Sequence, residues 1–276
     1  MFDHGVAFSL SERVKRIVAP NPGPMTGPGT NTYLIGDTER AVIDPGPALP
    51  EHIDAIIAAG EGRITHILCT HTHPDHSPAA AVLAERLGVP LWGALTADDQ
   101  HQDTTFKPDH PLKHDDLCAG EDWTIRALHT PGHVDNHFCF LLEEEGMVFA
   151  GDHIMNGSTV VIVPPGGNMK AYIESLQMLL NYPVTSIAPG HGDTIADCRA
   201  EVEKLVRHRL MREAKVVAQL ERLGQANMDE LVVAVYDDVP ESMHSWAKLS
   251  LLAHLIKLQV EERAVDHGDS VWSLLA

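Results

Sequence analysis

A chain of 276 residues, 44% of them hydrophobic, is long enough to bury one large core, or a large and a small one, without disulfide staples. Its 39 Asp and Glu against 20 Lys and Arg leave a formal charge of −19, which argues against a surface built for nucleic acid or an anionic membrane, because such binding rests on clustered Lys and Arg. The segment MFDHGVAFSLSERVKR lacks a basic flank followed by an apolar stretch, and no apolar run approaches the ~18 residues of a membrane span. The expectation is a soluble cytoplasmic protein with no membrane partner. Cys69, Cys118, Cys139 and Cys198 show no CxxC spacing and read as core thiols.

In chain order, NPGPMTGPGTNTYLIG is Pro- and Gly-rich loop running into a short strand, and RAVIDPG is an apolar run stopped by Pro-Gly. A helix is predicted over 50–59, then the strand RITHILCT. Ser77 is expected to cap the next helix, with Pro78 in its first turn and Gly88 at its end. Downstream, TIRALHTPGH reads as a strand entering a loop, HFCFLLEEEGMVFAGD as a hairpin whose second strand ends at Gly151-Asp152, and VTSIAPGHGD as a strand ending at His191. From about Asp197 the pattern turns helical: CRAEVEKLVRHRLMREAKVVAQLERLG closes on Gly224, and NMDELVVAVY and ESMHSWAKLSLLAHLIKLQVEER follow. Two short apolar runs around the turn HGDS come last. The expected domains are 1–196, carrying the chemistry, and 197–276, helical and winged-helix-like.

HTHPDH, residues 71–76, places three His and one Asp on the loop leaving an apolar strand. Each later His or Asp cluster also follows a strand end, where α/β folds place chemistry. One tetrahedral ion cannot use so many ligands on one tight loop. Two ions can, with His71 and His73 facing one, Asp75 and His76 the other, and His133, Asp152 and His191 arriving from the later strand ends. Asp152 is short enough to bridge. Five imidazoles and two carboxylates suit two divalent ions, Zn first, with Fe or Mn as alternatives. Ions about 3.5–4 Å apart share a water, lower its pKa toward about 7 and polarise the substrate oxygen, so the expected chemistry is hydrolysis by a bridging hydroxide. The non-enzymatic alternative is a metal-stabilised winged-helix regulatory module, which needs no open coordination position.

These residues, in this order, resemble the metallo-beta-lactamase superfamily over residues 15–196. The resemblance implies an α/β fold, an αββα sandwich with a dinuclear metal site at one edge. It assigns His71, His73 and His133 to one ion, Asp75, His76 and His191 to the second, and makes Asp152 the bridge. NPGPMTGPGTNTYLIG, HTPGHVDNHFCFLLEEEGMVFAGD and PESMHSWAKLSLLAHLIKLQVEERAV together are similar to the beta-lactamase-like group that includes a mitochondrial endoribonuclease and ends in a small C-terminal winged-helix-like domain. Asp152 stands where true beta-lactamases commonly carry Cys or Ser, and His73 where the oxygen-reducing diiron branch carries Glu. Both departures point away from those branches.

The bond cleaved stays open between a phosphodiester, as in the endoribonuclease group, and a thioester or ester, as in glyoxalase II. Weak beta-lactamase or lactonase activity is a further alternative. The tail favours the first, but from Ala196 onward 10 Lys and Arg face 14 Asp and Glu, net −4, and residues 242–263 offer only Lys248, Lys257 and Arg263 as cations. The expected partner is a small-molecule or single-stranded RNA substrate, without sequence-specific DNA binding. The tail is expected to pack on the catalytic domain or on a second copy in a homodimer. Asp75 is expected to orient the attacking water and take its proton, and His137 to protonate the leaving group. Substrate contacts are expected from Met25, Thr26 and Asn31, with Asn31 or Tyr33 bracing their loop. The long polar stretch 98–116, with Phe106 and Lys107, is a second candidate.

Overall fold

Strands dominate the first part of the chain because β-branched and aromatic residues fall in short runs punctuated by Pro, Gly and Asp. The computed structural model describes residues 2–96 and 101–275, so positions 98–100 of the predicted contact stretch lie outside the described residues. Strands β1 (Phe8–Ser9), β2 (Val14–Val18), β3 (Asn31–Ile35), β4 (Arg40–Ile43), β5 (Ile64–Leu68), β6 (Leu91–Gly93) and β7 (His110–Pro111) form one sheet in chain order. Neighbours are antiparallel from β1 to β4 and parallel from β4 to β7. Parallel pairs need crossovers, which α1 (Pro50–Gly60) supplies between β4 and β5 and α2 (Pro78–Leu87) between β5 and β6. A second sheet is built from β8 (Leu117–Ala119), β9 (Thr124–His129), β10 (Phe138–Leu142), β11 (Met147–Gly151) and β12 (Ser186–Pro189), in the order β12-β11-β10-β9-β8.

Successive strand residues point to opposite faces, and the packing follows that alternation. Tyr33, Ile35, Ala41, Ile43 and Leu68 meet Ile125, Phe138, Phe140, Leu142 and Phe149 in the core between the two sheets. Leu34, Val42 and Ile67 turn the other way, onto Ile53 and Ile56 of α1 and Ala79, Ala80 and Leu83 of α2. Every residue of β3 and β4 is therefore buried. The loops leaving β4, β5, β9, β11 and β12 carry the polar clusters. The last strand stops at Pro189, two residues before His191, and Phe106 is buried in the helix-facing core against Gly93 rather than offered to a substrate.

The chain divides into two compact units. One comprises the chain up to Thr130 with Asn136–Val160 and Leu180–Arg199; the other comprises Pro131–Asp135, Val161–Leu179 and the chain from Ala200. The second unit holds α3 (Met169–Leu179), most of α4 (Cys198–Leu223), β13 (Gln225–Asn227), α5 (Met228–Val235), a 3₁₀ turn at Glu241–Met243, α6 (His244–Val260), β14 (Ala264–Asp266) and β15 (Val271–Leu274). Antiparallel β13-β15-β14 and the three helices α4 to α6 enclose Val216, Leu220, Leu231, Val235, Leu251, Leu255, Leu258 and Trp272. Asn227 caps α5 by accepting from the Asp229 and Glu230 amides at 2.9 and 3.0 Å, while Glu230 accepts from the Asn227 amide at 3.1 Å. Among the described residues no helix is long and apolar enough to cross a membrane.

The structure differs from the sequence expectation at Ser77, at α3 and at several short strands, β13 among them. Ser77 stands at the α2 N-cap position, but its side chain makes no cap; the hydroxyl donates to Asp103 Oδ2 at 2.8 Å instead. Helix α3 was not expected, although Met169, Tyr172, Ile173, Leu176 and Leu179 recur at helical spacing and are all buried. Strand β13 was not expected either, because three polar-rich residues carry no strand pattern; pairing with β15 creates it.

Candidate metal centre

The structure brings the predicted cluster residues together as two groups whose ligand atoms lie within 4.8 Å of one another: His71, His73, His133 and Asp152 in one, Asp75, His76 and His191 in the other. They adjoin. Asp152 Oδ1 is 3.3 Å from Nε2 of both His76 and His191, and the His71 and His76 rings are 4.2 Å apart between centroids. Asp75 Oδ2 lies 3.2 Å from His191 Nε2 and 3.5 Å from His76 Nε2. Either group could hold a cation.

His71, His76, His133 and His191 are each oriented by a bond on the Nδ1 nitrogen, the usual device for fixing the tautomer of a ligating histidine. Asp44 accepts from the Thr70 amide and hydroxyl, each at 2.7 Å, and from His76 Nδ1 at 2.9 Å. Since the Thr70 hydroxyl proton goes to Asp44, the 3.0 Å contact from Thr70 Oγ1 to His71 Nδ1 runs from the ring to the hydroxyl. His191 Nδ1 donates to the Gly29 carbonyl at 3.3 Å, and His133 Nδ1 to the Val161 carbonyl at 3.2 Å. Asp44 was missed by the sequence reading. Its signal is a lone carboxylate between a buried strand and Pro-Gly, held at φ +47, a left-handed conformation that is costly outside glycine and is kept where surrounding bonds over-determine it.

With Nδ1 of His76 and His191 donating, their Nε2 lone pairs point into the site. Both Nε2 atoms are buried and make no hydrogen bond, yet face carboxylate oxygens at 3.2–3.5 Å. A lone pair against an anionic oxygen is repulsive unless a proton or a metal cation stands between them; the donor set of imidazole nitrogens and carboxylate oxygens fits a divalent metal in that place. The titration behaviour follows the same charges. Burial depresses the His76 imidazole, but Asp75, Asp152 and Asp44 outweigh it and push it well above its ordinary value; for His191 burial is likewise outweighed, chiefly by Asp152, up to about 9. Burial would raise Asp152, but His191 and His76 hold it well below the carboxylate range. His71 is held well below its usual value by burial and by His76 and His73, so its ring stays neutral, as a metal ligand requires.

The site also depends on missing side chains. A Cβ at Gly190 would stand 2.7 Å from His76 Cε1 and 2.9 Å from Asp152 Oδ1. Asn31, expected at the substrate, is fully buried; its Nδ2 donates to the Pro189 and Gly192 carbonyls, both at 2.9 Å, and so braces the His191 loop. Tyr33 adds a 2.6 Å bond to the Pro189 carbonyl, and Arg16 bonds Gly192 and Asp193. Met25 is 52% exposed near the tip of the turn closed by Gly23 and Gly27, and the Thr26 hydroxyl is turned inward to the Asn21 carbonyl at 2.6 Å. His137, expected to donate a proton, is fully buried. Its Nδ1 bonds the Thr130 hydroxyl at 2.9 Å, and its ring stacks on His71 with centroids 5.1 Å apart.

Comparison with known proteins agrees with this architecture. Residues 25–191 match the model of the metallo-beta-lactamase superfamily, and residues 228–272 that of the beta-lactamase associated winged helix domain. The lactamase-like protein nscB of Neosartorya fischeri is 31% identical over 95% of this chain and 84% of its own length. A protein of Aspergillus chevalieri named atrochrysone carboxyl ACP thioesterase is 34% identical over 85% of this chain and 76% of its own. The crystal structure of a beta-lactamase domain protein from Burkholderia ambifaria superposes with a TM-score of 0.83 at 22% identity, covering 100% of this chain and 95% of that one, a likeness of fold. The chain belongs to the metallo-beta-lactamase superfamily, with a winged helix domain following the metallo-beta-lactamase fold.

Proposed function

We propose that this metal-dependent hydrolase holds two divalent ions, one in each donor group with Asp152 shared, and hydrolyses a thioester. The observation that carries the two-ion reading is the adjacency of the groups, with Asp152 Oδ1 at 3.3 Å from two buried, otherwise unbonded imidazole nitrogens. Divalent ions at such a site supply Lewis acidity and lower the pKa of a water; Zn is the first candidate, with Fe and Mn next. Asp75, its side chain 27% exposed, is the acidic group that reaches solvent here. His76 and His191 outweigh its burial and keep it ionised, so it accepts from the attacking water and orients it. His137 steadies the His71 ring.

The buried His137 also favours a thioester over a phosphodiester. A thiolate, whose conjugate acid has a pKa of about 8.5, departs without protonation far more readily than an alkoxide does. The net charge of −19 and the shortage of cations in the tail oppose RNA as substrate, and the Aspergillus chevalieri relative named as a thioesterase supports the same reading.

The test is a parallel assay of the metal-reconstituted chain on an acyl-coenzyme A thioester, single-stranded RNA, bis(p-nitrophenyl) phosphate and a chromogenic lactam. The expected result is thioester turnover that disappears with chelator and in His71→Ala. Cleavage of RNA or the phosphodiester without thioester turnover overturns the assignment.

A further inference from the structure

We propose that Asn136 is a positioning residue that sets the His71–His73 part of the metal centre through Thr72. Thr72 lies between the two histidines in sequence, and their facing nitrogens, His71 Nε2 and His73 Nδ1, are 3.0 Å apart. A rotation of the Thr72 peptide therefore moves both rings.

That peptide is gripped from two sides. Asn136, 3% exposed, uses one Nδ2 hydrogen on Thr72 Oγ1 at 2.8 Å and the other on the Ala94 carbonyl at 3.0 Å. The Thr72 hydroxyl passes its own proton to Gln102 Oε1, so it meets Asn136 as an acceptor. On the other side the Thr72 carbonyl accepts from the Asp103 amide at 2.6 Å. A further bond from the Phe138 amide to the Thr70 carbonyl, 2.7 Å, ties the strand that follows Asn136 to the same loop. The Asp75–His76–His191 group has different supports: Asp44 on His76, Gly29 on His191, and Asn31, Tyr33 and Arg16 on the loop around His191. Losing Asn136 should loosen one group and leave the other.

This inference rests on the two-ion reading, and its test separates the two. The full chain is stripped of metal and titrated with Co²⁺, following the absorption of each ion, in wild type, Asn136→Asp, Thr72→Val, Thr72→Ser and the Asn136→Asp/Thr72→Val pair. Asn136→Asp keeps the size and removes both donors; Thr72→Val keeps the shape and removes the acceptor. Both are expected to weaken one ion by about 10–100-fold, and the absorption lost should be the one lost in His73→Ala. Thr72→Ser should match wild type, and the double variant should be no worse than either single one. If wild type takes up two ions and Asn136→Asp holds both as tightly, weakens both equally, or adds fully to Thr72→Val, the proposal is overturned alone. Uptake of fewer than two ions by wild type overturns the two-ion reading, and this inference with it.

Discussion

The two donor groups contain similar side chains but are held by different chemistry. His76 leans on a carboxylate, Asp44, and His191 on the Gly29 carbonyl, while three buried side chains pin the loop that carries His191. His71 leans on a hydroxyl that is itself pinned by Asp44, and the backbone between His71 and His73 on a neutral amide. A charge-assisted bond is roughly twice as strong as a neutral one, so the Asp75–His76–His191 group should be the stiffer. Metal affinity in such a centre is set as much by what grips each ring as by the ring itself.

The largest expected effect removes the distinction by disturbing the shared atoms. Gly190→Ala puts a methyl inside contact distance of His76 and Asp152. Ions that stabilise a transition state by several kcal/mol correspond to a loss of about 10³-fold or more in kcat/KM. The check is metal content by emission spectroscopy beside steady-state kinetics; full metal content and unchanged turnover would show that the groups do not close on that position.

A medium effect separates the groups. Asp44→Asn tolerates the left-handed backbone, because Asn adopts it readily, and removes the charge on His76 Nδ1. Binding of an ion by Asp75, His76 and His191, as proposed, should weaken by about 10–100-fold, with a smaller change at His71, which meets Asp44 through Thr70. Competition with a chromogenic chelator reads both, and equal weakening would erase the contrast drawn above.

The smallest effect is on stability. His52 is fully buried; its ring reaches Thr32 Oγ1 at 2.9 Å, and that hydroxyl donates to the Asp44 carbonyl at 2.7 Å. Burial pushes the His52 imidazole down from 6.5 to about 4. Between those values the unfolded chain binds a proton that the folded chain refuses, so this contribution is complete above about pH 6.5 and is lost as pH falls toward 4. Urea unfolding across that window should show the slope, and His52→Gln should flatten it; an identical slope in the variant would remove His52 from the account.

Much of this was legible in the sequence because it is local. HTHPDH, HTPGH, FAGD and PGHG each follow an apolar run, and strand ends converge in folds of this kind. The supports were not legible, because they are made by distance in the fold. Asp44 reads as a turn residue until β4 and β5 lie side by side. Asn31 sits in loop-like composition, yet is buried by carbonyls more than 150 residues away in sequence. His137 follows His133 closely enough to invite a catalytic role, and only the packing of β10 turns it inward. The helix α3 is a different case: its 3.6-residue period is local and stands in the sequence at Met169, Tyr172, Ile173, Leu176 and Leu179.

If the protein is the two-ion thioester hydrolase proposed above, metal loading and thioester turnover must rise together. Metal-stripped protein is titrated with Zn²⁺ while bound metal and hydrolysis of an acyl-coenzyme A thioester are followed in the same samples. Uptake of two ions per chain is expected, with full turnover only when the second is bound. Saturation at one ion, or two bound ions with no thioester hydrolysis, would contradict it.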